Sequence, residues 1–161
     1  MMPDFEQLGV PREKIAVILV DHGSRFESSN SLLLEVVEAF CQHSAWKIVE
    51  PAHMELAEPS IATALGRCVG RGAELVVVFP YFLAPGRHWS EDIPRLTAEA
   101  VKAFPGVRHL VTAPLGLHPL IMQVIDQRIA HCLQRVGDEG PSCDACSDSN
   151  GCTLLPSKTA P

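Results

Sequence analysis

Ile15-Ala16-Val17-Ile18-Leu19-Val20 is an unbroken apolar run, and Asp21-His22-Gly23-Ser24-Arg25 follows it directly. A strand with one face in water alternates apolar and polar side chains, whereas a strand covered on both faces does not. The run therefore predicts a strand of an open parallel sheet with helices on both sides. In such sheets the carboxyl ends of neighbouring strands form a crevice in which ligands bind. His22 stands at the start of that crevice.

Working outward, Lys47 to about Met54, Glu74 to Phe79 and Val107 to Ala113 predict three further strands. Helical spacing fills the intervals. Ser28 or Ser29 is placed to cap a helix carrying Leu33, Leu34, Val37 and Phe40. Pro59 suits the first turn of a helix reaching about Arg71, with Ile61, Ala64, Leu65 and Cys68 on one side. Asp92 to Phe104 is helical, with Pro94 tolerated in its first turn. Pro119 to Arg135 closes the series with the stripe Leu120, Val124, Ile125 and Ile129. Strand and helix alternate four times, which defines an α/β class with right-handed crossovers. Residues 1–135 make one domain on this reading. Residues 136–161 form a cysteine-rich tail, too polar and Gly/Pro-interrupted to build its own core, with a frayed end after Cys152.

Composition narrows the functions. The chain has 161 residues, 47% of them hydrophobic, and a net charge of −6, which argues against nucleic acid as a partner. No apolar run approaches the roughly 20 residues that span a bilayer. Met1-Met2-Pro3-Asp4-Phe5-Glu6 has the character of neither a signal nor a transit peptide, so a cytosolic location is expected, or the plastid stroma for a trimmed mature form. Neither G-x-x-x-x-G-K-[ST] nor G-x-G-x-x-G is present between strand and helix, so ATP and NAD are not expected.

A second histidine, His88, closes the loop Leu83-Ala84-Pro85-Gly86-Arg87-His88 after the third strand. Two imidazoles facing one crevice suggest a divalent metal ion, a proton transfer, or both. Gly23 permits a sharp turn beside His22, Arg25 puts a cation at the mouth, and Met54-Glu55-Leu56-Ala57-Glu58-Pro59 brings two carboxylates to the rim. Two neutral imidazoles, a carboxylate and open positions suit Fe²⁺, Co²⁺ or Ni²⁺. Glu55 and Glu58 read equally well as carboxylates favoured by a helix N-terminus. His53 reads as structural and His43, His109 and His131 as solvated; for His118, near the same sheet end, a supporting role is the lesser reading.

Of six cysteines, Cys41 and Cys68 read as buried, inert thiols inside helices. Cys132, Cys143, Cys146 and Cys152 crowd the C-terminus, and in a reducing compartment such a cluster points to metal rather than disulfides. Four thiolates suit a structural zinc or an iron–sulfur cluster, and spacing does not separate the two.

The stretches VDHGSR, EPAHMELAEPSI, FPYFLAPGRHWSEDIPRLTAEA and VTAPLGLHP, in this order, resemble the short sirohydrochlorin chelatases, in particular their siroheme-forming ferrochelatase branch in plants. The resemblance covers roughly residues 14 to 152. Asp21 stands where many bacterial and archaeal members have Gly, a departure shared with the plant-like branch. The resemblance implies a chelatase-like three-layer sandwich with a four-stranded parallel sheet flanked by helices, and pairing as a homodimer. It implies insertion of Fe²⁺ into sirohydrochlorin, releasing two protons and giving siroheme, without ATP. In the family pattern His22 is proton acceptor and metal ligand, His88 the second metal ligand and Glu58 a substrate contact. Leu83, Ala84, Pro85, Gly86 and Arg87 line the tetrapyrrole. The resemblance also implies a [2Fe–2S] cluster on Cys132, Cys143, Cys146 and Cys152.

The chemistry agrees with that pattern. Metal insertion removes two pyrrole N–H protons, so a base and a loosely held ion must face the ring centre. Arg25, Arg87 and Arg95 are the candidate cations for the substrate's carboxylates. Phe82 is expected in the core rather than on the macrocycle. The competing expectations are a cobaltochelatase of cobalamin synthesis and a non-enzymatic tetrapyrrole or metal carrier. A histidine phosphatase is disfavoured, because Asp21 precedes His22 where that chemistry wants arginine and would repel phosphate.

Overall fold

In a computed structural model of the chain, which describes residues 6–136, the four expected strands form one parallel sheet in the order β2-β1-β3-β4. They are β1 (Ile15–Asp21), β2 (Ile48–His53), β3 (Leu75–Pro80) and β4 (Arg108–Val111). β1 is paired on both edges, Ala16 through Asp21 against Ile48 through His53 and Ile15 through Val20 against Leu75 through Pro80. The chain steps from β1 to β2 on one side and then crosses to β3 on the other. The order reverses at β1/β3, and the connections leaving those two strands part to open a crevice.

The absence of alternation in β1 has a direct cause. Ala16, Ile18 and Val20 pack with Ile61, Ala64, Leu65 and Cys68 of α2 (Ile61–Gly70) and with Ile93 of α3 (Ile93–Val101). Val17 and Leu19 pack with Leu33 and Val37 of α1 (Glu27–His43) on the opposite face. Each layer therefore takes every second residue, and both layers want it apolar. Phe82 packs against the α2/α3 layer, as expected.

Several boundaries differ from the sequence reading. α1 begins at Glu27, without a side-chain cap at Phe26; the side chain of Asn30 instead accepts from the Ser24 N–H and donates to the Ser24 carbonyl, both at 2.9 Å. α2 is capped by Ser60, which accepts from the Thr63 N–H at 3.2 Å. Cys41 is exposed rather than buried. The inward stripe of α1 is Leu33, Val37 and Phe40, and one further residue turns Cys41 about 100° away from the sheet. Cys68 is buried, and burial pushes its thiol up to about 12.

The sheet with α1 to α3 belongs to one compact unit, Met1–Gly116, and α4 (Pro119–Val136) to a second, Leu117–Pro161. Within the second unit His118 starts α4. Its Nδ1 accepts from the Leu120 N–H at 3.2 Å and its carbonyl from the Ile121 N–H at 2.9 Å. Cys143, Cys146 and Cys152 lie outside the described residues. No helix among the described residues is long and apolar enough to cross a membrane.

The thiols of α1 and α2 should separate chemically. With iodoacetamide at pH 8 the folded chain is expected to be alkylated at Cys41 and protected at Cys68, read by peptide mass mapping; equal labelling of both would contradict the packing.

Candidate active site

The two histidines meet. Nε2 of His22 lies 3.3 Å from Nε2 of His88, with the ring centroids 4.8 Å apart and the planes at 83°. His22 follows β1 and His88 follows the loop after β3, so the reversal of strand order brings them together across 66 residues of sequence. Two nitrogens each about 2.0–2.1 Å from a single ion at the tetrahedral angle lie roughly 3.3 Å apart. The pair thus has the bite of one metal ion. Among the described residues no three His, Cys, Asp or Glu side chains converge on one point, so the pair offers two donors and leaves the remaining coordination open.

A set of polar bonds holds the turn that carries His22. Oδ1 of Asp21 faces Nδ1 of the buried His53 at 2.6 Å and accepts from the Gly23 N–H at 3.0 Å. Asp21 and His53 are register partners at the ends of β1 and β2. The turn carrying His22 also holds the loop carrying Glu55. Met54 N–H donates to the Asp21 carbonyl at 2.9 Å, and Glu55 N–H donates to the His22 carbonyl at 3.2 Å. Gly23 is held at φ +81°, and a Cβ there would collide with the Glu55 carbonyl oxygen. Leu56 sits at φ +67°, a strained value for a branched side chain. Oε1 of Glu55 comes to rest 3.5 Å from Nδ1 of His22.

His88 is not on a free loop. Residues His88–Asp92 form a π-helical turn that runs into α3, with the Ile93 N–H bonded to the His88 carbonyl. Pro94 supplies the reason: in an α-turn its ring would strike the Ser90 carbonyl, four residues back, and the wider turn relieves that clash. The turn is pinned to the end of β4 by the Trp89 indole, which donates to the Thr112 carbonyl at 2.7 Å. It places Oδ2 of Asp92 2.8 Å from Nδ1 of His88. The His88 ring, and after it Arg95, hold the Asp92 carboxyl below the usual carboxylate range.

The other expected residues distribute as follows. Leu83, Ala84, Pro85, Gly86 and Arg87 form an exposed loop leading to His88. Arg25 and Arg87 are exposed, Arg87 facing Glu91 at 3.5 Å. Glu58 is engaged elsewhere: its carboxylate accepts from the Ser60 N–H at 2.8 Å and the Thr63 hydroxyl at 2.9 Å, and these bonds lower its pKa. Of the two rim carboxylates, Glu55 is the one beside His22. Sequence reasoning did not single out Asp92 or the Asp21–His53 pair. His88-x3-Asp92 was available as an i,i+4 spacing, but the helix was expected to begin at Asp92.

A model of the CbiX family matches residues 16–132. The chain is 53% identical over 138 residues to "Sirohydrochlorin ferrochelatase, chloroplastic" of Arabidopsis thaliana, covering 86% of this chain and 61% of that protein. The fold is similar to that of the sirohydrochlorin chelatase SirB from Bacillus subtilis subspecies spizizenii in complex with cobalt, with TM-score 0.69 and 29% identity over 73% of this chain and 50% of that one. It is also similar to a cobalamin (vitamin B12) biosynthesis CbiX protein from Marinobacter aquaeolei VT8, with TM-score 0.66 and 30% identity over 75% of this chain and 98% of that one. The chain belongs to the CbiX family. It spans about three fifths of the Arabidopsis relative and half of SirB.

Gly23→Ala should destabilise the fold by about 2 kcal/mol or more, since it adds both a forbidden backbone conformation and a backbone clash; denaturant unfolding measures this. Glu58 stabilises the start of α2 above the ordinary Glu pKa of 4.5, and that contribution is lost as pH falls through its lowered folded value. Glu58→Gln is accordingly expected to flatten the acid limb of a stability-against-pH curve below about pH 4.5.

Proposed function

We propose that this chain is an ATP-independent metal chelatase that inserts Fe²⁺ into sirohydrochlorin to give siroheme. The observation that carries the reading is the pair of Nε2 atoms 3.3 Å apart at the β1/β3 crevice. Two donors hold an incoming ion while ring nitrogens take the open positions, whereas a closed four-ligand site would retain it. Chelation releases two pyrrolic protons. His22 is the acceptor, because Glu55 beside its Nδ1 stabilises the imidazolium that forms. Both groups are about half exposed, so the proton passes on to water. The glutamate role implied for Glu58 falls to Glu55 in this reading, since Glu58 is spent on the α2 cap. The backbone of residues 83–88 lines the macrocycle, and Arg25 and Arg87 receive its carboxylates. The names of the Arabidopsis relative and of SirB support the substrate, and the former's chloroplast designation supports the plastid stroma over the cytosol. A homodimer, implied by the resemblance to the short chelatases, completes this reading.

Co²⁺ insertion is the second reading, favoured by SirB's having been solved with cobalt; two imidazoles accept either ion, and affinity order does not select the physiological one. A carrier of metal or tetrapyrrole is the third. We assign Cys132, Cys143, Cys146 and Cys152 to a [2Fe–2S] cluster, with structural zinc as the alternative. Cys132 is a free, half-buried thiol late in α4, and its three partners lie outside the described residues. Such a cluster would supply a structural or sensing group, because metal insertion transfers no electrons.

The deciding experiment is an anaerobic assay of sirohydrochlorin with Fe²⁺, Co²⁺ and Ni²⁺ at matched concentrations. His22→Ala is expected to lose at least about 100-fold in insertion rate while remaining folded; saturable binding of sirohydrochlorin without any acceleration of insertion would instead indicate a carrier. The double variant Cys143→Ser/Cys146→Ser should lack visible iron–sulfur absorption, and persistence of colour would reject the ligand set.

A further inference from the structure

We propose that Asp92 is a positioning residue that fixes which nitrogen of His88 carries hydrogen, and thereby makes the two histidines unequal. The inference rests on the metal-handling reading of the pair. An ionised carboxylate only accepts hydrogen bonds, so Oδ2 of Asp92, 2.8 Å from Nδ1 of His88, requires the hydrogen on Nδ1. The lone pair of the neutral ring is then on Nε2, the atom that faces His22 at 3.3 Å. His88 is held as an electron-pair donor before any ion arrives.

Three features hold this arrangement. The π-helical turn His88–Asp92 brings the two side chains side by side. Trp89 anchors the same turn to the Thr112 carbonyl. Arg95 approaches the other oxygen of Asp92, with Nη2 3.5 Å from Oδ1. His22 has no matching constraint. Its Nδ1 lies 3.5 Å from Glu55, well beyond the 2.8 Å at which Asp92 meets Nδ1 of His88, although the two rings are about equally exposed. One ring of the pair is thus locked as ligand, while the other is free to take a proton and pass it on. Carboxylate partners of histidine ligands act in this way at metal sites, and their loss typically costs 10–100-fold in metal affinity.

The test uses the full-length chain, Co²⁺ alone as probe, and ¹⁵N NMR of the histidine rings. In the metal-free wild type His88 should show hydrogen on Nδ1, and Co²⁺ should perturb both His22 and His88. Asp92→Asn and Asp92→Ala are expected to weaken Co²⁺ binding by roughly 10–100-fold and to raise the KM for metal far more than they lower kcat. Asp92→Asn should also move the hydrogen of His88 toward Nε2, and Asp92→Glu should recover much of the affinity. Wild-type binding at both histidines with unchanged affinity in Asp92→Asn would overturn this inference alone. Failure of Co²⁺ to perturb either histidine of the wild type would overturn the metal-handling reading itself. Should the variants misfold, the wild-type tautomer decides: hydrogen on Nε2 of His88 refutes the proposal.

Discussion

The two-sided pairing of β1 is the constraint on which the molecule depends. Its backbone is hydrogen-bonded to β2 along one edge and β3 along the other, and its side chains fill the helical layers above and below. No residue from Ile15 to Val20 touches water appreciably. A strand enclosed in this way cannot slip: a shift of one residue would exchange the side chains meant for α1 with those meant for α2 and α3. Its carboxyl end is therefore fixed in space, and His22 inherits that fixity. β3, registered against β1 residue by residue, carries the chain to His88 with the same accuracy.

Above this rigid frame the loops that carry His22, Glu55 and His88 combine packing, as at Met54 and Phe82, with a few directed bonds, and Gly23 and Leu56 sit at positive φ. Asp21 joins the ends of β1 and β2 through His53 and also ties down the turn at Gly23. That turn and the Glu55 loop share backbone hydrogen bonds, so His22 and Glu55 are held as one piece. On the opposite side of the crevice, the π-helical turn and the Trp89 bond give His88 an independent support. The two nitrogens that meet at 3.3 Å are thus carried by separate assemblies, each braced against a different part of the sheet.

The fold was legible because burial on both faces leaves a plain sequence signature, and because Pro, Gly and Ser mark where the helices and turns lie. The histidines were legible because each follows a buried strand. The rest was hidden for identifiable reasons. Asp92 appeared to be a helix start because Pro94 suggested the first turn of a helix, whereas the same proline widens the preceding turn and draws His88 onto it. Glu55 and Glu58, three residues apart, are not separated by pattern alone, and the resemblance pointed to Glu58, whose carboxylate binds Ser60 and Thr63 while Glu55 stands beside His22. Cys41 looked like Cys68, since helical spacing alone does not reveal a rotation of one residue off the buried stripe.

The outer border of the sheet at β2 carries one more consequence. Pro51 sits within that strand and has no N–H to offer along the free side. Next to it Glu50 binds Arg67 and Arg71, and Arg71 also donates to the Lys47 carbonyl. A proline with a fringe of ion-paired charges disfavours the addition of any foreign strand. Templated cross-chain β-stacking is blocked at this margin, which protects a sheet whose neighbouring strands are rich in valine and isoleucine.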